Sequence, residues 1–152
     1  MTYSRFAAMI TSSTVIMFGF MYLNSYAIEH VFFSETRAYM SLLMGATMAI
    51  VMPLFMWKHY ENTKINIGIL GVSALVFASS LWLVRSQTNV ADISWMKAMI
   101  PHHSIAILTS ERASISDPRV KKLAKNIIKA QRKEIAEMKA LIEELEQVKT
   151  GL

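Results

Sequence analysis

The chain contains no cysteine. Thiolate metal sites, disulfides and cysteine nucleophiles are thereby excluded. It is also short of charge. Charged residues make up 18% of the sequence and hydrophobic residues 53%, against about 25% and roughly 45–50% in ordinary soluble domains. The shortage is confined to one part. Residues 1–84 carry four basic side chains (Arg5, Arg37, Lys58, Lys64) and three acidic ones (Glu29, Glu35, Glu61), whereas residues 85–152 carry twelve basic and eight acidic. A single soluble globule and a disordered chain are both at odds with this split. No nucleophile triad, phosphate loop or dinucleotide fingerprint is present, so no enzymatic role is expected. The net charge of +5 lies mostly in the second part. Acids interleaved with the bases there read as a solvated helix surface, not as a nucleic-acid footprint.

Three stretches lack any charged residue: 6–28, 38–57 and 65–84. A bilayer core is spanned by about 20 apolar residues as helix, and a buried soluble helix of that length would show a polar stripe. Three transmembrane helices are expected, with Tyr3, Tyr22, Tyr26, Tyr39, Trp57, Tyr60 and Trp82 near their ends, where amphipathic rings prefer the headgroup zone. Arg5, Lys58 and Lys64 against Arg37 place the N-terminus in the cytoplasm and the C-terminal part outside, by the excess of Lys and Arg in cytoplasmic loops. Gly45 with Ala49, and Ala74 with Ala78, are small-residue pairs that let helices approach closely. Pro53 is expected to kink the second span. Met40, Met44, Met48, Met52 and Met56 recur every fourth residue, with Met9, Met17 and Met21 at similar spacing in the first span. Methionine is flexible packing material, and its thioether is also a soft ligand for Cu(I). A step of four drifts by about 40° per repeat. At most three consecutive members, centred on Met48, are therefore expected to face other helices.

Residues 86–152 read as an extracytoplasmic hairpin of two helices, following a three-helix transmembrane anchor over residues 1–85. Thr88 or Asn89 can cap the first helix, and Pro101 inside it should bend it. Asp117 and Pro118 open the second helix, and Gly151 is a stop signal beyond it. The second helix has a broad apolar seam running from Val120 to Val148. Gln131 and Glu134 interrupt that seam. A buried carboxylate is costly unless paired, hydrogen-bonded or bound to metal, so this layer is either a register device or a site. The first helix supplies the counterpart. On a helical wheel of about 100° per residue with Met99 at zero, His103 falls near 40°, Met96 near 60° and His102 near −60°, while Pro101 points away. Two imidazoles and two thioethers on one face make a donor set suited to copper, with Cu(I) favoured by the sulfurs. There is no HExxH pairing for zinc, and no Glu-x-x-His pair for a di-iron centre.

Residues 95–108, WMKAMIPHHSIAIL, and 123–138, LAKNIIKAQRKEIAEM, resemble the domain-of-unknown-function family 305. The family pattern is an aromatic-Met, then Met-Ile-x-His-His-x-x-Ala-Ile, then Gln-x-x-Glu-Ile-x-x-Met on a second helix. The resemblance runs from about Ala91 to Leu145, and the three-span part resembles the membrane-anchored subset. It implies a ferritin-like helical bundle, an extracytoplasmic setting in bacteria, and copper binding in some members. The matching positions are Met96, Met99, His102, His103, Gln131, Glu134 and Met138. Thr109 stands where the family often carries a further Met.

The expectation is an all-α chain, anchored in the bacterial cytoplasmic membrane and binding copper for sequestration, delivery or tolerance. The metal ligands would be Met96, Met99, His102, His103, Glu134 and Met138, with Gln131 orienting an imidazole. One hairpin cannot cover both faces of its helices, and so small a core is marginal alone. A homodimer in which two hairpins form one four-helix bundle is therefore expected. The competing expectation is a structural or assembly subunit of a membrane complex, with no metal role.

Overall fold

The computed structural model describes residues 2–150. Over them the chain is all-α. Five helices, α1 (Tyr3–Phe20), α2 (Glu35–Phe55), α3 (Thr63–Ser86), α4 (Asp92–Arg112) and α5 (Pro118–Thr150), are joined with 3-10 turns at Ile28–His30 and Trp57–His59, and the described residues contain no strand. Gly151 lies outside the described residues. Helix starts fall where side chains satisfy free amides. Thr2 Oγ1 accepts from the Arg5 amide at 3.4 Å, Asn62 Oδ1 from the Lys64 and Ile65 amides at 3.1 and 3.2 Å, and Asp117 Oδ1 from the Arg119 amide at 2.8 Å. α4 departs from expectation. Its cap position is Ala91, without a side-chain partner, and not Thr88 or Asn89. Just before, α3 ends on Gln87 in the left-handed region, φ 53°. The Gln87 side chain offsets that strain by donating to Val84 O at 2.7 Å and accepting from Thr36 Oγ1 at 3.2 Å. Neither Pro53 nor Pro101 interrupts its helix.

The chain divides into two compact units. One comprises Met1–Met21 and Thr36–Asn89, the other Tyr22–Glu35 and Val90–Leu152. The single boundary expected at residue 85 is thus replaced: the segment between α1 and α2 groups with the C-terminal helices.

In the first unit α2 and α3 are long and apolar enough to cross a membrane, and α1 is not, so there are two candidate spans where three were expected. The charge-free run 6–28 does not stay helical. α1 ends at Phe20 after 18 residues, which reach about 27 Å against a hydrocarbon thickness of about 30 Å. It also carries Arg5 in its first turn and a Thr11–Thr14 polar run in its middle. α1 runs antiparallel to α2. Tyr3 stacks on Tyr60 beyond the end of α2, with ring centroids 5.3 Å apart, and donates to Asn66 Oδ1 at 2.9 Å. Further along, Thr14 presses against Gly45, where an added Cβ would collide with the threonine hydroxyl.

The packing of this unit is inverted relative to a soluble bundle. Ser41, Asn66, Ser73 and Ser80 are buried, while Val15, Leu54, Phe55, Val72 and Leu75 are exposed. Gly45 and Ala49 are packed, but Ala74 and Ala78 are exposed, because α3 turns its Asn66–Ser73–Ser80 face inward instead. Along the methionine row, Met40 and Met44 are exposed, whereas Met52 and Met56 pack with Met9 around Phe6 and Tyr60. The inward stretch lies one turn beyond the expected centre at Met48.

In the second unit α4 and α5 pack as an antiparallel hairpin around Met96, Ile100, Ile107, Ile135, Met138 and Ile142. α4 is buried on a second face as well. Ser104, fully buried, accepts the Tyr26 amide at 2.7 Å and bonds His30 Nδ1 at 2.9 Å. Further ties hold the same 22–35 segment. Ser94 donates to Glu35 at 2.9 Å, Lys139 lies 3.7 Å from Glu29, and the Arg132 guanidinium sits over the Tyr26 ring at 5.7 Å. Phe32 packs against the core.

Candidate functional site

The hairpin sets the site through its register. Three α4–α5 pairs step along it: Lys97–Glu146 at 2.6 Å, His103–Glu134 at 2.7 Å and Glu111–Arg132 at 2.5 Å. The outer two are exposed ion pairs, typically worth about 0–1 kcal/mol each. The middle one is chemically different. His103 has only 12% of its side chain exposed, and both ring nitrogens are engaged: Nδ1 with the Met99 carbonyl at 3.0 Å and Nε2 with Glu134 Oε2 at 2.7 Å. A carbonyl and an ionised carboxylate can only accept. Both bonds are filled when the ring carries two protons, so this geometry suits an imidazolium. It equally suits a ring whose Nδ1–H is fixed by the helix backbone while Nε2 faces a cation beside the carboxylate. Orientation of a ligating imidazole through its other nitrogen is the usual arrangement at metal sites.

The remaining expected ligands are not gathered around that pair. His102 is exposed on the flank of α4, its ring centroid 6.1 Å from that of His103 at an interplanar angle of 63°. Met96 and Met138 are 5% and 7% exposed inside the isoleucine core. Met99 is half-buried against that core and reaches His103 through its carbonyl. Gln131 is half-buried, and the orienting role expected of it falls to the Met99 carbonyl. Thr109 is exposed and returns its hydroxyl to the Ile105 and Ala106 carbonyls at 3.0 and 3.3 Å. Among the described residues no three His, Asp or Glu side chains stand close enough to hold one metal ion.

The wheel puts Met96, Met99, His102 and His103 on one face; in the structure Met96 and Met99 of that face pack toward the α5 core while His102 is exposed. Sequence reasoning missed the Ser104–His30–Tyr26 cluster. Burial of His30, helped by the nearby Lys139 charge and opposed by Glu29, pushes its pKa below the ordinary value. The neutral ring then accepts the Ser104 hydroxyl. Its sequence neighbours give no signal, because the contact joins residues 74 positions apart.

No solved structure matches the chain. An uncharacterized protein of Acanthamoeba polyphaga mimivirus is 34% identical over 108 residues, covering 70% of this chain and 69% of the relative. Residues 83–151, which hold α4, α5 and the His103–Glu134 pair, match the family model described as Domain of unknown function (DUF305), and the chain belongs to that family.

Proposed function

We propose that this is a membrane-anchored copper-binding protein of the bacterial envelope, acting in copper sequestration, delivery or tolerance. The observation that carries the copper part is the fixed His103 imidazole facing Glu134, with His102 exposed beside it. His102, His103 and Glu134 would hold the ion as cargo, with Met99 at the margin. Met96 and Met138 serve the core in this arrangement. With those two sulfurs withdrawn, the accessible donors are mainly imidazole and carboxylate, a set that takes Cu(II) as readily as Cu(I).

The inverted polarity of the first unit supports the anchor. Only 28% of the apolar window of α2 and 11% of that of α3 is buried, whereas the core helix of a soluble protein is mostly covered. Thr14, Thr47 and Ser79 donate to the carbonyls of Ile10, Leu43 and Leu75, each at 2.8 Å, which is how hydroxyls are satisfied where water is absent. Tight packing of small residues is likewise the way helices associate in lipid. α2 and α3 would be the apolar spans, and the shorter α1 would cross beside them, held at Tyr3–Tyr60 and Thr14–Gly45. Arg5 and Lys64 lie at the end of this unit where Tyr3, Tyr60 and Asn62 meet, Lys58 lies in the short turn before α3, and Arg37 and Arg85 lie toward the other end. That asymmetry favours a cytoplasmic Arg5–Lys64 end.

The test is titration of the purified full chain in mild detergent with Cu(I) and with Cu(II). Binding should be at least tenfold weaker in the His102→Ala/His103→Ala variant. Equal affinity in the two proteins would remove the copper reading. The second reading, a structural subunit whose polar layer fixes the α4–α5 register, is favoured by the closed His103–Glu134 contact. It expects a melting temperature indifferent to copper, whereas a bound ion must raise it by linkage.

A further inference from the structure

The charges of the C-terminal part are interleaved overall, but along α5 they are segregated. Residues 118–133 hold seven bases and no acid, whereas residues 134–150 hold five glutamates and two lysines. This order opposes the helix dipole, which favours acids near the N-terminus and bases near the C-terminus. α4 neutralises little of it. Among the described residues Arg132 pairs with Glu111 and Arg119 with Asp117, while Lys121, Lys122, Lys125, Lys129 and Lys133 have no carboxylate within ion-pair distance. The change of sign falls between Lys133 and Glu134, at the level of the His103 contact.

The hairpin also has an open face. The 22–35 segment covers one side of α4, and Trp95, Leu123 and Leu141 stand exposed elsewhere. Leu123 and Leu141 are five helical turns apart and so share one face of α5, with Glu134 close to the same line. A groove of about 580 Å³ between α4 and α5 is lined by Trp95, Met96, Leu141 and Leu145, with Asp92 and Glu144 at its rim.

We propose that two copies of the chain pair antiparallel through this open face, about a twofold axis at the level of Glu134, and that the copper site is completed across the axis by His102, His103 and Glu134 of each copy. Antiparallel pairing centred there lays the basic half of each α5 along the acidic half of the other. It covers Trp95, Leu123 and Leu141. It also supplies further donors, since the described residues of a single copy gather no three-ligand group. The copper part of this inference rests on the function proposed above; the pairing does not.

The chain has no cysteine, so introduced thiols report alone. In an antiparallel pair centred at Glu134, residue 123 of one copy lies opposite residue 145 of the other, while two copies of residue 123 are about 33 Å apart along the helix. Full-length chains carrying Leu123→Cys or Leu145→Cys are expressed singly or together, in membranes, and treated with a short thiol crosslinker. Crosslinked dimer is expected only on co-expression. Leu123→Cys chains that crosslink with themselves, or no crosslink in any combination, would overturn the pairing. Copper stoichiometry is then measured on the natural chain. One ion per two chains is expected, and one ion per chain overturns the shared site. Antiparallel crosslinking with no copper bound at all keeps the pairing, and overturns both the shared site and the function proposed above.

Discussion

Two histidines in the same unit are handled in opposite ways. His103 is held between two acceptors, an arrangement that welcomes a cation. His30 is held by a hydroxyl, with Lys139 nearby and burial against it, an arrangement that rejects one. Because its folded pKa is lowered, His30 takes up a proton more readily in the unfolded chain. Stability is therefore complete above the ordinary histidine value of about 6.5 and declines as pH falls through it, levelling off below the lowered folded value. His30→Gln should flatten that decline in thermal unfolding of the full chain between about pH 8 and pH 5. Amide exchange in residues 22–35 should rise at low pH in the natural chain and much less in the variant. An unchanged pH slope would mean that some other group carries the dependence.

At the scale of elements, the first unit separates two pairs that look identical in sequence. Gly45–Ala49 and Ala74–Ala78 have the same spacing on equally apolar helices, yet only the first is packed. Gly45→Leu should push Thr14 and with it α1, costing about 1–3 kcal/mol as overpacking, read as a lower melting temperature in detergent. Ala74→Leu, on an exposed face, should change it by no more than about 0.5 kcal/mol. Losses of equal size would contradict the packing described. The sequence made the α5 start legible, because Asp117 and Pro118 act on their immediate neighbours. It marked the α4/α5 seam only in part: Val120, Leu141 and Val148 of the expected line are exposed, and the packed line runs through Ile135, Met138 and Ile142. It could not choose between the small pairs, because that choice belongs to the partner helix. Nor could it end α1 at Phe20, since nothing charged marks the stop. Met96 and Met138 show a related limit: a thioether ligand and a core methionine have the same periodicity, and the structure packs both side chains in the core.

For the whole molecule the directional prediction concerns sidedness. Ser114 lies exposed in the turn between α4 and α5. On the orientation proposed above, a Ser114→Cys chain should react with a membrane-impermeant maleimide in intact cells. Reaction only after lysis would reverse the orientation. The division into units has a separate consequence, for dissection. The backbone passes from one unit to the other three times, near residues 21, 35 and 89. The matched family region begins at residue 83, so the strip containing Tyr26, Glu29 and His30 comes from outside it. A fragment cut at residue 89 would carry both hairpin helices but leave the Ser104 hydroxyl bare, along with the flank of α4 around it. The unit that holds the hairpin is therefore not a single stretch of the sequence: excising it whole means grafting residues 22–35 back onto the two helices.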